Sequence, residues 1–260
     1  MTSRRRLLQA ALAAPVLMAA GARQPSLGLI TPDAPSPPPS PPPEAEQMYP
    51  GRMRYRVEGI GLAKMTPEGF DSVLERIAPA AERLAGAGVD GVVLLGTSLS
   101  FYQGAAFNRT LTERVEKASG LKCVTMSSAV VEGLRRLKAR RVVVATAYNP
   151  EVNGRLDRFL REEGFDPLVI KGLGLEDTGS AGKVTPESLF EFVSKLSDSS
   201  PRADALFVSS GGLNTLDLLA PLEKRCGTPV VASMPHTLWA GARLVGLDGR
   251  AKGYGRLLSL

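Results

Sequence analysis

Three features of the sequence predict an α/β fold of two similar halves, each with a parallel sheet buried on both faces. Short, almost continuously apolar runs recur at 27–30, 89–95, 123–126, 142–147, 167–170, 205–208 and 230–232. Helical patterns lie between most of them, at 111–118, 129–139, 151–163, 186–196 and 216–225. A half-exposed antiparallel sheet would instead alternate apolar and polar residues. Finally, two runs end in the same chemistry, glycine beside small hydroxyl residues: Gly96-Thr97-Ser98 and Ser209-Ser210-Gly211-Gly212. That similarity suggests an internal duplication with a site between the halves.

The chain begins with Ser3-Arg4-Arg5-Arg6-Leu7-Leu8, an apolar run over 10–20 and the small triplet Ala20-Gly21-Ala22. This pattern reads as an export signal over 1–22 of the twin-arginine type, removed near Ala22. Its apolar run is too short to span a bilayer comfortably, so the expected mature protein is periplasmic and has no stable membrane association.

The first strand, 27–30, runs into a proline-rich tract at 32–43, where the missing N–H groups and fixed φ force an extended, helix-free loop. Such a loop reads as a surface excursion, as a partner-binding polyproline segment or, because it leaves a strand end, as a cover flanking a site. Thr66 is a candidate cap and Pro67 suits a first helical turn. Phe70, Val73, Leu74, Ile77 and Leu84 then share one face until Gly86 and Gly88 end the helix.

Composition narrows the function classes. With 43% hydrophobic and 22% charged residues the chain is an ordinary globular protein. The formal charge of +6 includes Arg4, Arg5 and Arg6 of the acid-free leader, which leaves +3 on residues 23–260. The remaining cations are interleaved with acids along helical stretches, so no nucleic-acid-binding stripe is expected. Cys123 and Cys226 make no disulfide framework, and both read as inert thiols outside the strand-end loops. His236 is the only histidine, and no cluster has metal-ligand spacing. The segment Gly172-Leu173-Gly174-Leu175-Glu176-Asp177 lacks the third glycine of a dinucleotide fingerprint.

Ligands of open parallel sheets bind beyond the carboxyl ends of the strands. The residues found there are Thr31-Pro32, Gly96-Thr97-Ser98, Tyr148-Asn149 and Ser209 to Gly212. Converging backbone N–H groups and hydroxyls at such turns form a cradle for an anion.

Gly96-Thr97-Ser98-Leu99-Ser100-Phe101-Tyr102-Gln103-Gly104-Ala105-Ala106-Phe107-Asn108 closely resembles the arylmalonate decarboxylase family. So do Met65-Thr66-Pro67-Glu68-Gly69-Phe70, Ala145-Thr146-Ala147-Tyr148, Gly211-Gly212-Leu213 with Thr215-Leu216-Asp217, and Gly253-Tyr254-Gly255-Arg256-Leu257. The resemblance implies the aspartate/glutamate racemase-like fold, two similar flavodoxin-like domains facing each other across a cleft. It also implies domain limits of 23–136 plus 235–260 for the first and 137–234 for the second. The implied reaction is cofactor-independent decarboxylation of an α-substituted (aryl)malonate, a small dicarboxylate, needing neither metal nor organic cofactor. Thr97, Ser98, Tyr148, Ser210 and the Gly211 backbone would hold the retained carboxylate. Leu62, Met65 and Leu99 would wall a dry pocket for the leaving one.

One position departs from the pattern. Racemases of this superfamily carry a cysteine in each half, whereas the decarboxylases keep only the second and have glycine in the first. Gly96 matches the decarboxylases, and Ser210 stands where their cysteine is expected. A thiol with a pKa of about 8.5 can protonate the enediolate left by CO2 loss, but a serine hydroxyl is a far weaker acid. His236, near a strand end and with an ordinary pKa of about 6.5, is the candidate substitute donor. Two further readings stay open, a non-catalytic carboxylate-binding protein and a racemase or isomerase of the same superfamily.

Overall fold

The computed structural model describes residues 23–37, 39–200 and 202–260; the expected export signal lies outside them. Strands β1 (Ser26–Thr31), β2 (Arg54–Gly59), β3 (Gly91–Leu94) and β4 (Cys123–Thr125) form one parallel sheet in the order β2-β1-β3-β4. Strands β5 (Arg141–Thr146), β6 (Asp166–Gly172), β7 (Ala205–Ser209) and β8 (Val230–Ala232) form a second in the order β6-β5-β7-β8. Both sheets therefore place their second strand first and count outward from there, the repeated topology that the paired glycine/hydroxyl turns suggest. The central strands β1, β3, β5 and β7 are buried almost throughout, as two-sided helical cover requires.

Helices fill the intervals: α1 (Pro43–Met48), α2 (Pro67–Asp71), α3 (Leu74–Gly86), α4 (Thr97–Phe101), α5 (Ala105–Ser119), α6 (Met126–Arg136), α7 (Pro150–Glu162), α8 (Pro186–Asp198), α9 (Leu219–Cys226) and α10 (Ser233–Leu244). The helix expected from Thr66 to Gly86 is two helices. Thr66 does cap the first, accepting the Gly69 N–H at 3.3 Å. The Ser72 hydroxyl then bonds back to the Gly69 carbonyl at 2.7 Å and the Val73 N–H closes a tight turn onto Phe70, a local competition that interrupts the ladder.

β2 and α10 are among the elements that carry no clear signal in the sequence. β2 is an edge strand, largely exposed or half-buried, and reads Arg-Tyr-Arg-Val-Glu-Gly, with too few apolar residues to stand out. The interior of α10 is buried on all sides and so has no amphipathic period. It packs on α6, β3 and β4 and also reaches α1, β7 and β8, which ties the last part of the chain to both sheets.

Candidate active site

The carboxyl ends of both sheets open on one cavity of about 390 Å³, within the usual range for a small-molecule site. The first half contributes the turn after β3. Gly96 adopts φ +108°, a conformation open to glycine and costly for a side chain, and a Cβ there would press on Leu99 Cβ at 3.2 Å. The turn leads directly into α4, whose first N–H groups have no acceptor within the helix and lie at the cavity with Thr97 and Ser98. A hydroxyl network fixes α4 from behind: Ser100 Oγ donates to Ser127 Oγ at 2.7 Å, and Ser127 Oγ to the Thr97 carbonyl at 3.0 Å.

The second half contributes the turn after β7. Ser210 has φ +145°, rare for a residue with a side chain and a sign of local strain. Its N–H donates to Ser233 Oγ at 3.2 Å, while its own Oγ accepts the Gly212 N–H at 3.4 Å. A hydroxyl has one proton, so that of Ser210 remains to be donated into the cavity. Among the described residues the Gly211 N–H has no protein acceptor, and it too faces this space. Thr97 Oγ1 donates to the same Ser233 Oγ at 2.8 Å, so one buried side chain at the start of α10 joins the two turns.

Tyr148 completes the cradle. Gly172, at the end of β6, lets the Tyr148 backbone approach so closely that a Cβ would fall 2.0 Å from its carbonyl oxygen. The hydroxyl lies 3.2 Å from Ser209 Oγ. Burial pushes it above its ordinary pKa, opposed by the neighbouring Ser209, Thr97 and Ser98, so it is a phenol and a donor at neutral pH. Among the described residues no Lys, Arg or His lines the cavity. An anion there would be held by N–H and O–H dipoles alone.

Apolar side chains make up much of the rest of the lining. Leu62 and Met65 stand there with Met126 and Met234, and Pro41 to Pro43 join them, so the proline tract forms part of the cavity wall. Its last proline opens α1, where the sequence pattern places loop. The halves are laced together beside it: the Met65 N–H donates to the Glu176 carbonyl at 2.6 Å and the Thr178 N–H to Ala63 at 3.2 Å.

Eight of the ten residues singled out from the sequence line this cavity: Gly96, Thr97, Ser98, Tyr148, Ser210, Gly211, Leu62 and Met65. Leu99 does not; its side chain packs beneath Gly96 in the core. His236 does not either. Its Nδ1 bonds the Ala232 backbone at 2.9 Å, and burial pulls its pKa down to about 4. Held neutral and away from the cavity wall, it is not placed as the proton donor. Burial, assisted by Glu116, pushes the Cys123 thiol up to about 12, which leaves it inert.

Two residues at the site carry no sequence signal. Ser233 follows a short strand like many serines, and its role emerges only when α10 crosses both sheets. Glu44, the second residue of α1, brings a buried carboxyl to the cavity. Burial raises its pKa, a hydrogen bond from its own backbone opposes this, and Asp217 adds to the rise.

Comparison with known proteins places this geometry. The sequence model of the family described as arylmalonate decarboxylase matches residues 27–258. The arylmalonate decarboxylase of Bordetella bronchiseptica is 42% identical over 237 residues, 91% of this chain and 97% of that one. The chain belongs to the arylmalonate decarboxylase family. It is thus a carbon–carbon lyase of the decarboxylase type. A solved arylmalonate decarboxylase in the liganded form, with one glycine changed to cysteine and one cysteine to serine, superposes with a TM-score of 0.85 at 41% identity. That match covers 90% of this chain and 98% of the other. A maleate isomerase of Nocardia farcinica, 27% identical over 89% of this chain and 94% of its own length, extends the likeness to the wider superfamily. The two-sheet aspartate/glutamate racemase-like fold is therefore shared across it.

Proposed function

We propose that this protein is a cofactor-independent decarboxylase of α-substituted arylmalonates. The observation that carries the reading is the pairing of a cation-free cradle of N–H and O–H donors with an apolar wall in one cavity. The retained carboxylate sits against Thr97, Ser98, Tyr148, Ser210 and the Gly211 N–H. Losing CO2 turns that carboxylate into an enediolate, whose growing charge strengthens each of these hydrogen bonds in the transition state. The leaving carboxylate lies against Leu62 and Met65, where an ion gains little from its surroundings and departure as neutral CO2 is favoured. Proton delivery to the α-carbon completes the reaction.

CO2 release from phenylmalonate is the test, run with the natural protein and with Ser210→Cys. Turnover above the uncatalysed rate by the natural protein supports the reading. Binding without turnover in both proteins would assign the cavity to carboxylate binding alone. Turnover only after Ser210→Cys would mean a decarboxylase scaffold whose natural form does other work.

We further infer that residues 1–22 carry the protein to the periplasm by the twin-arginine route, on the strength of Ser3-Arg4-Arg5 and the short apolar run behind it. Replacing Arg4 and Arg5 by Lys is expected to hold the full-length protein in the cytoplasmic fraction. Unchanged export would refute this.

A further inference from the structure

The decarboxylase reading needs a proton donor, and Ser210 is too weak an acid to serve alone. Three titratable side chains line the cavity among the described residues: Asp33, Glu44 and Tyr148. Tyr148 belongs to the carboxylate cradle, and burial makes it a poorer acid than a free phenol. Asp33 is exposed to solvent and its carboxylate is taken up by the Thr31 hydroxyl, which donates to it at 2.7 Å. Glu44 differs from both. It is buried, it opens on the cavity from the first turn of α1 beside the proline wall, and among the described residues no Lys or Arg pairs with it.

We propose that Glu44 is the acid that protonates the α-carbon of the enediolate, in place of the thiol that Ser210 replaces. This rests on the decarboxylase reading above. The C–C bond to the leaving carboxylate breaks and its electron pair passes into the enediolate. As the enediolate collapses, the Glu44 O–H bond breaks and the new C–H bond forms, leaving a Glu44 carboxylate. Water returns the proton once the product has left, so each CO2 released consumes one proton.

The surroundings favour the protonated form of this carboxyl. Burial raises the Glu44 pKa and Asp217, on the turn before α9, raises it further. Asp33 and Tyr148 face the same cavity, and a dianionic substrate acts in the same direction as Asp217. α10, packed on α1, carries His236, tied to the Ala232 backbone, and Arg243, paired with Glu132. On its own segment Glu46 accepts the Gly51 N–H.

The test uses 2-methyl-2-phenylmalonate, whose product shows by its handedness which face received the proton. Glu44→Gln preserves shape and removes the proton. It is expected to lower kcat by about a hundredfold, the usual share of a general acid, and to erase most of the enantiomeric excess as water takes over. Glu44→Asp keeps an acid and is expected to retain the product's handedness at reduced kcat. In the natural protein kcat falls as pH rises through the Glu44 titration, a limb that Glu44→Gln lacks. Calorimetric binding of phenylmalonate shows that each variant retains a folded cavity. If Glu44→Gln binds phenylmalonate and keeps the natural kcat and enantiomeric excess, the inference is overturned while the decarboxylase reading stands. Equal loss of handedness in Glu44→Asp and Glu44→Gln overturns it as well. If the natural protein binds phenylmalonate without releasing CO2, both fall together.

Discussion

The backbone N–H of Ser210 donates to the side chain of Ser233 at 3.2 Å, across the gap between the turn after β7 and the first residue of α10. Because Thr97 of the other half donates to that same oxygen, Ser233 holds the two cradles at a fixed separation. Ser233→Ala would leave a buried N–H and a buried hydroxyl without an acceptor. A loss of about 1–3 kcal/mol in unfolding free energy is expected from urea denaturation. Turnover should fall by about tenfold, since a cradle spread over two turns works only when both are in register. Unchanged stability and turnover would show that the bridge is incidental.

Ser210 combines a side chain with a φ of +145°, so the turn is held in a conformation that its own residue disfavours. Ser210→Gly should relieve that strain and raise unfolding free energy by about 1 kcal/mol, even though glycine adds freedom to the unfolded chain. The same change removes the hydroxyl from the cradle, so phenylmalonate turnover should drop while stability rises. A variant less stable than the natural protein would mean that the strain is not stored at this residue.

The strand-end turns are legible in the sequence because their chemistry is local. Gly96 with Thr97 and Ser98, and Ser210 with Gly211, announce themselves by composition and by position after an apolar run. Tyr148 is found in the same way. Ser233 and Glu44 are not, since each acts through a contact made by distant chain: α10 passing between the sheets, and the proline tract folding back over the cavity. Leu99 shows the reverse error. It adjoins the cradle in sequence, but the helical turn of α4 rotates its side chain into the core beneath Gly96. β2 stays hidden because an edge strand needs little apolar surface.

Tyr148→Phe isolates one donor of the cradle. The ring would keep its edge contact with Phe101, whose centroid lies 5.8 Å away, so packing survives and only the hydroxyl is lost. Removing a single oxyanion donor typically costs about 2.7–4 kcal/mol of transition-state stabilisation, which corresponds here to a fall in kcat of about a hundredfold to a thousandfold. KM should move much less, because the bond strengthens as the enediolate forms. A variant whose KM rises while kcat is unchanged would place Tyr148 in substrate binding alone.

His236 makes stability depend on pH in a direction fixed by its burial. Its folded pKa of about 4 lies below the ordinary 6.5, so the unfolded chain binds a proton that the folded protein refuses. The resulting stability is fully present above pH 6.5 and is lost progressively as pH falls from there to about 4, a loss of roughly 3 kcal/mol if this group acts alone. Urea denaturation at intervals across that window should show the decline. His236→Gln, which keeps a polar side chain beside the Ala232 backbone and cannot be protonated there, should flatten it even if the variant is less stable at pH 7. The same variant leaves the proposed acid untouched, so the pH dependence of its kcat should match that of the natural protein. A change in that profile would return His236 to the proton-transfer step that its position in the fold denies it.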